Sequence, residues 1–469
     1  MNYIIIDSGT SSTKAFLFNS DGVVLHSQKI KHALFRPQQY HVESDALVIL
    51  ETCKSLFEKM VIASGDMPVH SFGLAIQRST FLFWEKESCT PVTPALSWQD
   101  SRAHAIVEEF STHSEQLWQI TGTPLSAHFG GPKFLHMIRE NPQLKNRVNN
   151  GELYFGPLSA FLSQAMTGTA GVEESIACRS LLYDIHKGDW SDFALNLFGV
   201  SPQCLPPLVP VKYDFGYMLD SKIPLAVVIG DQQAALIGQA GLKLGSIATN
   251  FGTSGSVQFN AGQNPTIVNG LISSVFYSDE NIKYFMVEGT INACNSLFYH
   301  LEEKLGIAHD KMEWDYRASK TKTDGIFIPG FNGLAAPYWK PGFNDIYIDL
   351  DKRLDEDEIV RAGMESIGFL VSDILACLEP IMSSKPSLLT AAGGGSRSSL
   401  LQFIADLTGI SVGHSTMKDR TAYGIFRLLN PAYQSDSSKS VDQIFSPIPS
   451  QKINEKKLKW LNAMEKFIK

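Results

Sequence analysis

Apolar and polar positions along this chain follow two alternating periods, and the order in which they occur predicts the architecture. Tyr3-Ile4-Ile5-Ile6 is a β-prone apolar run that enters a polar turn, Asp7-Ser8-Gly9-Thr10-Ser11-Ser12-Thr13-Lys14. Ala15-Phe16-Leu17-Phe18 resumes a strand, Asn19-Ser20-Asp21-Gly22 supplies a turn, and Val23-Val24-Leu25 supplies the next strand. Between Asp45 and Met60, the residues Leu47, Leu50, Leu56, Phe57 and Met60 recur at helical spacing. A short strand, Ser71 to Ile76, follows. A three-strand meander, a helix and a strand form the order of a ribonuclease-H-like half.

A second half is expected after the proline-rich stretch Ser201 to Pro207. Strand Leu225 to Ile229 runs into Gly230-Asp231-Gln232-Gln233, and helical spacing continues from Ala234 to Ala240. Ser246 to Phe251 reads as a new first strand, leading into a small, hydroxyl-rich turn from Gly252 to Ser256. The boundary is therefore placed between Gly241 and Gly245, giving units of residues 1–242 and 243–469. Later, Ser387 to Thr390 leads into Ala391-Ala392-Gly393-Gly394-Gly395-Ser396-Arg397. A helix through Leu407 is predicted to end near Gly409, and another spans Ala422 to Leu429. In the tail, Lys452, Lys456, Lys459 and Lys469 alternate with Leu458, Trp460, Leu461 and Met464, which predicts a surface helix.

Composition narrows the class. A chain of 469 residues exceeds one ordinary core and suggests two large domains. A formal charge of -8 argues against a broad nucleic-acid face, and no run of about 18 apolar residues predicts a membrane span. The opening Met1-Asn2-Tyr3-Ile4-Ile5-Ile6-Asp7 lacks the basic region and cleavage pattern of a secretory signal. Six scattered cysteines without a CxxC pair point to reduced thiols and a cytoplasmic setting. No HExxH-type set suggests zinc, whereas a divalent ion held mainly by nucleotide phosphates leaves little trace in a sequence.

The three turns suggest phosphate handling. Small residues let backbone amides approach phosphate oxygens, and hydroxyls in Ser8 to Thr13 add donors, with Lys14 adding a positive charge. Triple glycine ahead of a helix removes side-chain bulk near free amides. Each turn alone also fits a plain polar hairpin or tight turn; the set of three after apolar strands favours nucleotide. None fits GxxxxGK[ST], which disfavours a P-loop ATPase. Asp231, at a strand-to-helix junction, fits either a helix cap or a base, ionised by the positive helix end. Arg78 fits a surface ion pair or a donor to vicinal hydroxyls, and Trp98 a core aromatic or a face for sugar C–H groups.

From Asp7 to about Leu429 the sequence resembles the FGGY carbohydrate kinases, a family that includes glycerol kinase and xylulokinase. The Asp7–Lys14 turn matches their first phosphate turn. Trp98-Gln99-Asp100-Ser101-Arg102 resembles their WxDxR segment, and Gly230-Asp231-Gln232-Gln233-Ala234-Ala235 their catalytic segment. Gly333-Leu334-Ala335-Ala336-Pro337-Tyr338-Trp339 and Gly393-Gly394-Gly395-Ser396 resemble segments at the nucleotide site. The resemblance implies an α/β fold of two actin-like, ribonuclease-H-like domains closing as a clamshell over substrate, ATP and Mg2+. It further implies Asp231 as catalytic base, with Gln77, Arg78, Trp98, His128, Asp231 and Gln232 around the substrate. Thr10, Ser11, Ser12, Lys14, Gly252 and Thr253 would face phosphates; Gly333, Gly394 and Gly395 would lie at the nucleotide. Asp7 and Asp231 would serve the metal.

The same comparison departs from glycerol kinase at the substrate. In Gln77-Arg78-Ser79-Thr80, Ser79 stands where the QRET pattern has a glutamate. His128 stands in place of a glycerol-contacting tyrosine, Ser256 in place of a pocket phenylalanine, and Lys340 in place of an aspartate after APYW. A roomier, wetter pocket follows, which favours a ketose or polyol larger than glycerol as the hydroxyl phosphorylated by ATP. Two alternatives stand beside it: a noncatalytic carbohydrate and nucleotide sensor with the same fold, and glycerol kinase itself. The expected partners are a small carbohydrate and, at most, a second copy in a homodimer, with neither nucleic acid nor membrane.

Overall fold

The structure is a computed structural model that describes residues 1–350, 355–433 and 441–468. Strands β1 (Asn2–Ser8), β2 (Ser12–Asn19) and β3 (Val24–Lys31) form the antiparallel meander. Helix α1 (Ala46–Ser64) returns the chain to β4 (Val69–Ile76), which lies parallel to β1. Asp45 caps α1, accepting the N–H groups of Leu47 and Val48 at 2.9 and 3.2 Å, as an N-cap aspartate does for otherwise unpaired donors. Beyond β4 the chain builds a smaller four-stranded sheet, including Phe81–Glu85 and Leu153–Pro157, against which α2 (Gly130–Glu140) packs. Strand β5 (Leu225–Gly230) then joins β4, so the first sheet runs β5-β4-β1-β2-β3. This corrects the expectation that a second half opens after Pro207: β5 completes the first sheet, and α3 (Asp231–Ala240) leaves from its end.

The second sheet contains β6 (Ile247–Phe251), β7 (Gly255–Gly262), β8 (Ile272–Ser278) and β9 (Lys283–Ile291). After α4 (Asn295–Leu305) and α5 (Glu356–Leu378) come β10 (Leu388–Ala392), α6 (Ser398–Thr408) and β11 (Ser411–His414). The described chain ends with α7 (Arg420–Leu429), β12 (Gln443–Phe445) and α8 (Gln451–Phe467). The strand order β8-β9-β7-β6-β10-β11-β12 contains β9-β7-β6-β10-β11, which repeats the order and directions of β3-β2-β1-β4-β5. Gly255 and Ser256 belong to β7, so the expected turn ends sooner, at Ser254.

Helix α7, late in the chain, packs on β1, β4 and β5 of the first sheet and crosses α3. Its Ile425, Phe426 and Leu429 share a core with Ile5, Phe18, Val227 and Ile237. Apolar burial therefore joins the two sheets through a helix from each side. The tail also differs from the surface helix expected. Trp460 of α8 is fully buried, stacks on Phe369 at 4.9 Å and donates its indole N–H to Asp373 at 2.8 Å. Lys456 is buried as well, paired with Glu365. Lys469 lies outside the described residues.

Candidate active site

Register across three parallel strands sets the site. Ser8 of β1 pairs with Ile76 of β4, and Ile76 pairs with Gly230 of β5. The carboxyl ends of all three strands are therefore level, the place where open α/β sheets present their ligands. Asp7 sits at the end of β1, Gln77 and Arg78 just beyond β4, and Asp231 just beyond β5. Gln77 N–H donates to the Ser8 carbonyl at 3.0 Å, tying the two loops together. A Cβ on Gly230 would lie 3.1 Å from Arg78 Cδ, so glycine lets the arginine stem cross the strand end.

Asp231 opens α3, where unpaired amides favour a carboxylate. Its Oδ1 accepts the Gln232 N–H at 2.8 Å and lies 3.9 Å from Arg78 Nε. Burial nonetheless raises its pKa, with Arg78 opposing the shift. Asp7 is pushed up to about 7 by burial and by the charge of Asp231, Lys14 opposing and Asp419 adding to the rise. Burial works against the charged form of both carboxylates, and Asp231 adds to the cost at Asp7; a hard cation nearby would relieve it. Among the described residues no group of three or more His, Cys, Asp or Glu forms a cage for a metal ion. Asp7 and Asp231 are the carboxylates that would touch magnesium carried on nucleotide phosphates, and the ion would supply neutralisation of phosphate charge.

The residues expected at the substrate lie near the same strand ends. Trp98 donates its indole N–H to Thr10 Oγ1 at 2.9 Å, so the segment expected at the substrate touches the segment expected at phosphate. His128 Nδ1 lies 2.9 Å from the Trp98 carbonyl oxygen. Desolvation by the surrounding protein and the charge of Lys133 lower the pKa of His128 even though its edge reaches solvent. Gln77 is 2% exposed, and neither polar atom of its amide has a hydrogen-bond partner among the described residues. Gln232 stands partly exposed next to Asp231.

The three phosphate-type turns come from both sheets. Gly9 N–H donates to Ser12 O at 3.0 Å, closing the first around Thr10 and Ser11. Lys14 departs from a free point charge: its ammonium pairs with Asp419 at 2.9 Å, ahead of α7. In the second turn, the Gly252 carbonyl accepts the Asn295 N–H at 3.0 Å, and the Thr253 carbonyl accepts the Cys294 and Ser296 N–H groups, each at 3.2 Å. The third packs on the second, with Gly395 N–H donating to Phe251 O at 2.7 Å. Gly393 has a φ of 105°, and a Cβ there would lie 2.5 Å from Phe251 O; only glycine fits. Gly333 adjoins this cluster through Asn292, whose amide donates to the Asn332 carbonyl at 3.0 Å. Lys340 points elsewhere, donating to the Ile468 carbonyl at 2.8 Å.

Sequence reading missed several residues that hold this site. Glu288, on β9 of the second sheet, accepts both terminal nitrogens of Arg78, at 3.1 and 3.2 Å, and also pairs with buried Arg179. Lys133 is fully buried, donating to the carbonyls of Ser79 and Ser97 at 2.8 and 2.7 Å. It thereby joins the loops of Arg78 and Trp98, and burial lowers its pKa to about 7. An acid inside the apolar run of Phe285 to Ile291 was the available signal for Glu288, whereas Lys133 shares its helix with His136, Arg139 and Glu140 and gave no such signal.

Two matched actin-like sheets with phosphate-type turns on each and an aspartate at the strand ends define a two-domain phosphotransferase fold. The chain matches the family models for the FGGY carbohydrate kinases, N-terminal domain over residues 2–238 and C-terminal domain over residues 247–433. It belongs to that family and is an ATP-dependent carbohydrate kinase that uses magnesium. It is 32% identical to glycerol kinase 1 of Thermotoga maritima, over 91% of this chain and 89% of that one. It is 28% identical to glycerol kinase of Natranaerobius thermophilus, over 99% and 98%. Among solved structures, glycerol kinase of Plasmodium falciparum with ADP superposes at a TM-score of 0.91 and 25% identity, over 100% of this chain and 98% of that one. A xylulose kinase from Rhodospirillum rubrum shares the fold at a TM-score of 0.88 and 16% identity, each chain covered to 99%. Among the described residues no helix is long and apolar enough to cross a membrane.

Proposed function

We propose that this kinase moves the γ-phosphoryl group of ATP to a hydroxyl of a ketose or polyol larger than glycerol, with Asp231 as the base. As the acceptor oxygen bonds to phosphorus, its proton passes to Asp231, and the bond to the β-phosphate oxygen breaks to release ADP. The observation that carries the reading is the shared level of Asp7, Gln77, Arg78 and Asp231 at the carboxyl ends of β1, β4 and β5. In this reading Thr10, Ser11, Ser12, Lys14, Gly252 and Thr253 face phosphates, with Lys14 exchanging Asp419 for phosphate. Gly333, Gly394 and Gly395 border adenosine, Asp7 and Asp231 face magnesium, and residues 1–242 and 243–469 are the closing units.

Ser79 and Ser256 are smaller than the groups that QRET-type glycerol kinases carry at these positions. Buried Gln77 offers an amide donor and acceptor that a further hydroxyl would satisfy, and leaving such atoms unpaired costs about 1–3 kcal/mol. Trp98 and His128 extend the polar wall. Glycerol is the second reading, favoured by relatives that are themselves glycerol kinases. Purified protein with Mg-ATP and a panel of glycerol, tetritols, pentitols and ketoses, assayed for ADP and sugar phosphate, decides between them. Greatest kcat/KM on glycerol refutes the larger acceptor, and no phosphorylated product across the panel refutes both.

A further inference from the structure

Glu288 belongs to the second sheet, yet it faces the acceptor side of the first. It is 1% exposed and receives Arg78 Nη1 and Nη2 at 3.2 and 3.1 Å, a two-pronged pairing that fixes the plane of a guanidinium. Arg179, itself 2% exposed, donates to the same carboxylate, on the Oε1 that Arg78 Nη2 also meets. Gln258 on β7 lies beside both: its amide nitrogen is 3.5 Å from Glu288 Oε2 and 3.4 Å from the carbonyl oxygen of Gln232. A single buried acid thus connects Arg78 with the backbone next to Asp231. With both ends of its fork taken, Arg78 turns only Nε toward Asp231, at 3.9 Å, beyond direct hydrogen-bonding distance.

Physical chemistry makes the arrangement costly to disturb. Two arginines and one carboxylate buried together need each other, since removing one leaves an uncompensated charge out of water. Without Glu288, the nearest anion for Arg78 is Asp231. A guanidinium drawn onto that carboxylate would occupy the oxygens that must meet the acceptor hydroxyl.

We propose that Glu288 is a positioning residue for the acceptor site, supplied by the opposite domain: it holds Arg78 off Asp231 and leaves that carboxylate free for the sugar hydroxyl. The inference rests on Asp231 and Arg78 serving the acceptor as described above. It also means that the acceptor site is complete only when the two sheets are docked, because its arginine is set from across the interface.

The test uses the full-length enzyme and Glu288→Gln, with Mg-ATP and the panel acceptor that the wild type turns over best. Expected is a fall of about 100-fold in kcat/KM for the acceptor, the scale of roughly 1 Å of misplacement, with ADP affinity by calorimetry held within about two-fold. A crystal structure of Glu288→Gln should show the Arg78 guanidinium moved onto Asp231. Unchanged acceptor constants, or an equal loss of ADP affinity, would overturn the proposal. Should Glu288→Gln not fold, Glu288→Asp keeps the charge but withdraws it by one methylene; an acceptor kcat/KM about 10-fold down supports the proposal and a wild-type value overturns it. If the wild type phosphorylates no acceptor, the larger functional reading fails, and the position of Arg78 in variant crystals still decides this one.

Discussion

Gly238 and Gly424 meet where α3 crosses α7, so closely that a Cβ on Gly238 would lie 2.0 Å from the Arg420 carbonyl oxygen and one on Gly424 only 1.9 Å from that of Ala234. Backbone thus touches backbone at the crossing that joins the two sheets. A methyl group at either position must push the helices apart, because carbonyl groups in two helices cannot rotate away as a flexible side chain would. Gly424→Ala is expected to lose about 3 kcal/mol, the upper end of overpacking costs, and to lower the thermal midpoint measured by calorimetry. An unchanged midpoint would show that this crossing is not rigid.

Asp231→Asn removes the proposed proton acceptor with little change in volume. Turnover of the best acceptor is expected to fall about 1,000-fold or more while ADP binding persists, since the phosphate turns are untouched. Retained turnover would remove Asp231 from the role of base.

Acid stability should depend on Glu288. Arg179 and Arg78 outweigh the cost of burial and hold its pKa at about 2, against an ordinary 4.5. The folded state therefore releases its proton more readily than the unfolded chain. The stabilisation is whole above pH 4.5 and drains away as pH falls toward 2, by an amount on the order of 3 kcal/mol. Glu288→Gln is expected to be less stable at pH 7 and to show a flatter fall in stability across that acid window. Parallel curves for the two proteins in urea titrations at several pH values would contradict this.

Trp98→Phe keeps an aromatic face and deletes the indole N–H that reaches Thr10. One hydrogen bond contributes about 1 kcal/mol, so a roughly five-fold loss is expected in kcat/KM for the acceptor. The KM for ATP is expected to rise as well, because Thr10 belongs to the first turn proposed to face phosphate. A change confined to the acceptor would separate the two segments.

Much of this was legible from local pattern. The meander, α1 and β4 follow from turn residues and from periods of two and 3.6, which short segments carry within themselves. The Gly393–Gly395 turn was legible because a φ of 105° against Phe251 tolerates no other residue type. Asp231 stood out because its strand, glycine and helix are contiguous. Trp460 was misjudged because the lysines around it suggest an outward face, whereas Lys456 turns inward to Glu365 and the indole to Asp373.

The amino-acid order alone determined most of the elements, the ribonuclease-H-like order of the first half, and the glycine- and hydroxyl-rich turns and the carboxylate proposed for phosphate chemistry, since each depends on neighbours a few residues apart. Tertiary structure alone decided that Glu288 pairs with Arg78, that Lys133 ties the loops of Arg78 and Trp98, that Lys14 rests on Asp419 and that α7 packs on the first sheet. Arg78 and Glu288 are separated by 210 residues, and Lys14 and Asp419 by 405. Which charges meet over such spans, buried for Arg78 and Glu288 and part-exposed for Lys14 and Asp419, is dictated by how the sheets and helices pack, a property of the folded molecule that no local spacing encodes.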